Sequence, residues 1–174
     1  MPGYVIHLSV AQEYLKKHKN KKEDYNSFIE GVLYPDSVSD KSLTHYGVKS
    51  SKSNLFEYIK HNKIDTSFYR GYFLHLLTDY MFYNRYIDTM IKDIMYNDYD
   101  LLNSMLIEKY KVKIPEKIKD KIFFKEEGDL KILSKQLVIE FIDEISELDL
   151  DIVKDDVIKE PGKWTKMRNL KNKL

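Results

Sequence analysis

Thr66-Ser67-Phe68-Tyr69-Arg70-Gly71-Tyr72-Phe73-Leu74-His75-Leu76-Leu77-Thr78-Asp79 begins the longest helical pattern in the chain. Apolar residues at Phe68, Tyr72, Leu76, Tyr83, Ile87, Ile91 and Ile94 recur at the spacing of one helix face. A helix is therefore predicted from Phe68 to about Met95, with Thr66 or Ser67 as its cap. His75 and Asp79 lie one turn apart beside that stripe, with Cβ atoms roughly 5–6 Å apart. An imidazole and a carboxylate so placed can share a metal ion. They can equally be a hydrogen-bonded helix pair with no ligand. Gly71, one turn before His75, costs about 1 kcal/mol against alanine in a helix interior, so another element is expected to approach closely there. That element could be the first helix carrying His7, and ordinary helix packing explains the glycine equally well.

That first helix is read from Tyr4 to Lys17, where Val5, Leu8, Ala11 and Leu15 recur at helical spacing after Pro2 and Gly3. His7 sits near its N-terminal end on an inward face shared with Ala11 and Tyr14. The lysine-rich run 16–22 reads as a solvated helix end and loop. Tyr25 to Tyr34 forms a second segment, closed by Pro35, because a residue before proline is pushed out of helical angles. Asp36 then lies just past a helix end, where a carboxylate commonly caps the next turn. Residues 37–53 are rich in serine, threonine, glycine and lysine, which puts His45 on an irregular connection. Taken alone, a histidine in such a loop is more often solvated than liganding. His18 and His61, with lysine or asparagine neighbours, are expected to be exposed.

Helices are further predicted at Asn54 to His61 and at about 98–110, 115–124, 129–145 and 151–160, with Pro115 in the first turn of its helix. Strands are hard to find. The reading is therefore all-α, a single multi-helix domain over residues 1–174. An acidic stretch from Asp143 to Glu160 precedes a basic tail with Lys163, Lys166, Arg168, Lys171 and Lys173. Both are read first as solvated surfaces.

Composition narrows the chemistry. The formal charge is +1, from 29 basic and 28 acidic residues, so no global attraction to nucleic acid or anionic lipid is expected. There is no cysteine, which removes disulfides and thiolate sites and leaves imidazole and carboxylate as metal ligands. Fourteen tyrosines suit a helical core built around a polar centre that gives their hydroxyls partners. No glycine-rich phosphate loop, serine or cysteine nucleophile constellation, or aromatic-basic interleaving is present. The N-terminal residues have the pattern of neither a signal peptide nor a spanning segment, so a cytoplasmic location is the default expectation.

Pro2-Gly3-Tyr4-Val5-Ile6-His7, Gly31 through Pro35-Asp36-Ser37, Thr44-His45-Tyr46 and Gly71 through His75-Leu76-Leu77-Thr78-Asp79 occur in that order over the first half of the chain. Their ordered combination resembles the zinc-dependent phospholipase C family, related in fold to the S1/P1 nucleases. The resemblance implies that Asp36, His45, His75 and Asp79 hold one metal. It also implies that His7 and Asp79 contribute to a neighbouring one, with Asp79 bridging and Asp36 reaching toward a further metal. The chain departs from the family after Asp79: no histidine follows, so the later ligand set of two histidines and a glutamate cannot be rebuilt. The family's N-terminal contact does not carry over cleanly either. The implied centre holds one or two ions, zinc by resemblance, with manganese, iron or nickel compatible with the same donors.

The implied activity is hydrolysis of a phosphate ester, most simply a phosphodiester, by metal-activated water. Asp36 and Asp79 are the candidate catalytic carboxylates, and Tyr72 or Tyr46 could support ligands or substrate. Arg85 is better explained as a surface salt bridge than as a phosphate contact. A small phosphate ester is the expected substrate. The rival is a noncatalytic, metal-stabilised domain that binds a partner, and a closed ligand shell would favour it.

Overall fold

A computed structural model describes residues 2–174. Helices dominate, and among the described residues the only β-type pairing is an isolated bridge between Thr89 and Lys171. The order is α1 (Tyr4–Lys17), α2 (Tyr25–Leu33), a 3₁₀ turn (Tyr34–Asp36), α3 (Ser42–His45), α4 (Leu55–His61) and α5 (Ser67–Met81). A π-turn (Phe82–Tyr86) leads to α6 (Lys92–Tyr110), a 3₁₀ segment (Glu116–Lys121), α7 (Lys135–Glu147), α8 (Leu150–Lys159) and α9 (Pro161–Trp164). No helix is long and apolar enough to cross a membrane.

Two glycines determine how α2 and α5 meet. A methyl group built on Gly71 would lie 2.0 Å from the carbonyl oxygen of Phe28, and one on Gly31 would lie 1.9 Å from that of Phe68. Neither space holds a side chain, so the helices cross with their backbones in contact. The close approach at Gly71 thus comes from α2 rather than from the His7-bearing α1 that the sequence offered as one candidate. Thr66 caps α5 by accepting from the Tyr69 amide, as Asn54 caps α4 through the Glu57 amide.

The long helix expected from Phe68 to Met95 is broken. It ends at Met81, passes through the π-turn, and restarts only at Lys92. Asn84 explains much of the change: its Nδ2 donates to Tyr80 O, and its Oδ1 accepts from the Arg168 amide. Beyond it, Lys171 exchanges backbone hydrogen bonds with Asp88 and Met90, so the C-terminal tail occupies backbone groups a continuous helix would use. A tertiary partner some 80 residues away overrides local periodicity here.

Two further boundaries shift for similar reasons. The helix expected over 129–145 begins at Lys135, because the buried Asp98 carboxylate takes the amides of Lys131, Ile132 and Leu133. The helix expected over 115–124 is a 3₁₀ segment whose preceding residue, Pro115, is extended rather than in the first turn. His18 is half-buried instead of exposed, stacked on Tyr14 at 4.3 Å with its Nε2 3.1 Å from Ser146 O.

One apolar cluster runs through all the larger helices, with Tyr14, Phe28, Tyr58, Phe73, Tyr80, Phe82 and Phe141 fully buried. Buried tyrosines mostly find partners: Tyr58 donates to Tyr69 O, Tyr72 to Thr44 O and Tyr110 to Asp143. The hydroxyl of Tyr83 has no hydrogen-bond partner among the described residues.

Candidate metal centre

His7, Asp36, His45, His75 and Asp79 come together from four separate elements, and none is more than 5% exposed. His7 is carried by the first turns of α1, Asp36 by the 3₁₀ turn after α2, His45 by the end of α3, and His75 and Asp79 by α5. Two expectations are corrected. His45 ends a short helix, followed by Tyr46 at a positive φ of 56°, rather than lying in irregular chain. Asp36 is not a cap: its carboxylate oxygens make no hydrogen bond and face the cluster.

Two carbonyl groups orient two of the rings. His75 Nδ1 lies 2.7 Å from Val32 O, and His45 Nδ1 lies 3.0 Å from Lys41 O. A carbonyl can only accept, so in each neutral ring the proton sits on Nδ1 and the Nε2 lone pair points inward. The two Nε2 atoms are 3.2 Å apart. Two lone pairs facing each other at that distance repel unless a proton or a cation lies between them. The backbone contact at Gly31 and Gly71 is what brings the Val32 carbonyl within reach of His75.

The carboxylates complete the shell. Asp79 Oδ2 is 3.0 Å from His45 Nε2 and 3.5 Å from His75 Nε2, while its Oδ1 is 3.3 Å from His7 Nε2. Asp36 oxygens stand 3.7 Å from His45 Nε2 and 3.9 Å from His75 Nε2. The rings of His7 and His75 stack at 3.9 Å, within 4° of parallel. Zinc–nitrogen bonds of about 2.0–2.1 Å at tetrahedral angles put neighbouring donors about 3.3–3.4 Å apart. The spacings here bracket that value. Two triads, His7–His75–Asp79 and Asp36–His45–His75, each gather their ligand atoms within 4.8 Å. Both nitrogens of His7, both oxygens of Asp36 and Oδ1 of Asp79 are buried without a hydrogen bond. Five such orphaned atoms in one place are a deficit that a cation would satisfy. The residues therefore fit a metal ion.

Electrostatics agree with the geometry. Burial, reinforced by neighbouring His75, holds the His7 imidazole down at about 4 against the pull of Asp79, so this ring is neutral at pH 7. Burial also pulls His75 down, but Asp79 and Asp36 more than offset it and leave it raised. Burial would raise Asp79, yet His75, His45 and His7 hold it well below the usual carboxylate range. Beside the imidazoles, the cation placed against the two carboxylates is Lys41. Its Nζ lies 3.4 Å from Asp36 Oδ1 and also donates to Asp36 O.

Lys41 and Ser53 are supporting residues that sequence reasoning did not single out, while Thr44 entered only as a neighbour of His45 and Tyr83 only as part of an apolar stripe. Ser53 Oγ lies 3.4 Å from Asp79 Oδ2, and Thr44 Oγ1 donates to Pro35 O, tying α3 to the turn bearing Asp36. Burial pushes the Tyr83 phenol well up, with the charges of Asp79 and Asp36 adding to it. The expected tyrosines act at one remove: Tyr72 anchors Thr44 O, next to His45, and Tyr46 accepts from Asn62. Arg85 lies away from the cluster, in a cavity with Lys163 and Arg168, and has no ion pair among the described residues.

No protein-family model, curated protein or solved structure matches the chain. What fold and site define is an all-α protein with a buried histidine–aspartate cluster able to hold a metal ion.

Proposed function

We propose that the protein is a metal-dependent hydrolase of a phosphate ester, with a phosphodiester as first candidate and zinc as first candidate ion. The observation that carries this reading is the set of five buried residues facing one another, three of which, His7, Asp36 and Asp79, carry unsatisfied atoms. A divalent ion held there supplies Lewis acidity and a water of lowered pKa. His45, His75 and Asp79 Oδ2, 3.0–3.5 Å from one another, would hold it and leave a position for water, with Asp36 alongside at 3.7 and 3.9 Å from the two imidazoles. His75 has a single free lone pair and cannot serve both triads, whereas Asp79 has two oxygens and can bridge. A second ion would rely on His7 and Asp79 Oδ1, a poorer set, so it would bind more weakly.

The chain's own groups divide the remaining work. Three imidazoles surround Asp79, which makes it the fixed bridging carboxylate. Asp36 has no donor hydrogen-bonded to its oxygens, so it is the carboxylate free to accept a proton from water. Lys41, a quarter exposed, spans from the surface to Asp36 and is placed to meet a phosphate oxygen.

The burial of all five residues favours a second reading, in which the ion ties α1, α3 and α5 together without catalysis. Five surface cavities, of about 150 to 500 Å³, are lined by other residues. The deciding experiment is turnover of bis(p-nitrophenyl) phosphate and p-nitrophenyl phosphate by protein loaded with zinc or manganese. Hydrolysis that disappears in the Asp36→Asn variant supports the enzyme. A rise in melting temperature with metal but no turnover supports the structural ion.

A further inference from the structure

The basic tail, which the metal centre does not use, lines two surface cavities. Two cavities adjoin through Arg168. One, of about 500 Å³, is lined by Arg85, Lys163, Lys166 and Arg168; the other, of about 210 Å³, by Lys49, Lys52 and Arg168. No carboxylate lines either cavity. Among the described residues only Lys163 of these six cations has an ion-pair partner, Asp156 at 2.8 Å, and nearby Asp88 is held by Lys171. A chain with a formal charge of only +1 has concentrated six cations along one groove, where they repel one another unless an anion intervenes.

The groove is framed by specific bonds. The Arg168 amide donates to Asn84 Oδ1 at 2.7 Å, and Arg168 Nη1 donates to Ile87 O at 2.7 Å. Arg85 is presented by the π-turn, a helix irregularity frequent at functional sites. The same break in the long helix that the tail stabilises thus positions both arginines. Tyr80 and Trp164, the aromatic residues beside the groove, are 1% and 7% exposed, so bases have no stacking platform there.

We propose that this groove binds a ligand carrying several phosphate groups in a row, the backbone of single-stranded nucleic acid, through charge and without reading sequence. The site does not depend on the metal centre. It is tested by fluorescence anisotropy of fluorescein-labelled dT12 against the full chain in ~50 mM NaCl with EDTA, which takes the metal centre out of play. The expected dissociation constant is on the order of 10 µM, and log affinity should fall against log salt with a slope of about −2 to −3 if three or four cations engage. The double variant R85E/K166E should weaken binding at least tenfold. K49Q/K52Q, at the other end, should weaken it roughly threefold to tenfold, both with unchanged circular dichroism. Displacement of dT12 by tripolyphosphate supports a site for serial phosphates of any source; persistence of dT12 binding against tripolyphosphate supports a nucleic-acid backbone spanning both cavities. Absence of dT12 binding to the wild-type chain, or wild-type affinity in both variants, overturns the proposal.

Discussion

Gly31 and Gly71 leave room for each other's helix: a methyl on either would come within 1.9 or 2.0 Å of a carbonyl oxygen on the opposing backbone. Because α2 and α5 touch here, Val32 O reaches His75 Nδ1 at 2.7 Å and fixes which nitrogen faces the cluster. Gly71→Ala should push α2 away, costing about 3 kcal/mol, or roughly 6–12 °C in melting temperature for a chain of this size. It should also weaken metal binding. Gly162→Ala is the control, since nothing lies within 4 Å of its added methyl. Thermal melts of both variants check the contrast; equal melting temperatures would remove the packing argument.

Lys41 places an ammonium beside Asp36, where a metal ion would feel it as a like charge. Replacing it with methionine removes a repulsion on the order of 1–3 kcal/mol at short range, partly offset by the lost bond to Asp36 O. Lys41→Met should therefore tighten zinc binding by about tenfold, read by competition with a chelating dye. Weaker binding would mean that the ammonium's task is to order Asp36.

Asp151 answers Arg70 and Lys21, each at 2.9 Å, and these two cations hold its carboxyl at about 2. A carboxylate depressed in the fold adds stability above its ordinary value near 3.8, and that stability is lost as pH falls toward 2. The side chain is 43% exposed, so solvent screening cuts the contribution to about 1 kcal/mol. Urea denaturation in EDTA should show Asp151→Asn less stable than wild type by that amount at pH 7, with the gap closing by about pH 2. A gap independent of pH would assign the effect to packing.

If Asp36 accepts the proton from water, Asp36→Asn should lower turnover of a phosphodiester by about 100-fold or more. Lys41→Met in the same assay should act mainly through KM. Equal activity in Asp36→Asn and wild type, with metal content matched, would remove the carboxylate from catalysis.

The five cluster residues were legible because each belongs to a short pattern with its own reason. His75 and Asp79 share a helix face, His7 follows a helix start, and Asp36 follows a proline that ends a helix. Their order along the chain is what suggested reading them as one set. Gly71 announced a close approach, but periodicity cannot say which helix approaches, and α2 rather than α1 supplies it. The break at Met81 was invisible because its causes lie far along the chain: Asn84 holds the Arg168 amide, and Asp88 pairs with Lys171. Asp98 likewise consumes three amides that a local reading would assign to a helix beginning near residue 129. Lys41 and Ser53 had no signal at all, since a lysine or a serine in a polar loop is unremarkable until the loop is folded over a carboxylate.

Metal content measured by elemental mass spectrometry, on protein purified without an affinity tag and then incubated with zinc or manganese, tests the central claim most directly. The centre described here predicts one tightly held equivalent per chain, a second that is removed by mild chelation, and loss of both in the His75→Ala/Asp79→Ala double variant. No bound metal in the wild-type chain, or unchanged metal in the folded double variant, would contradict it.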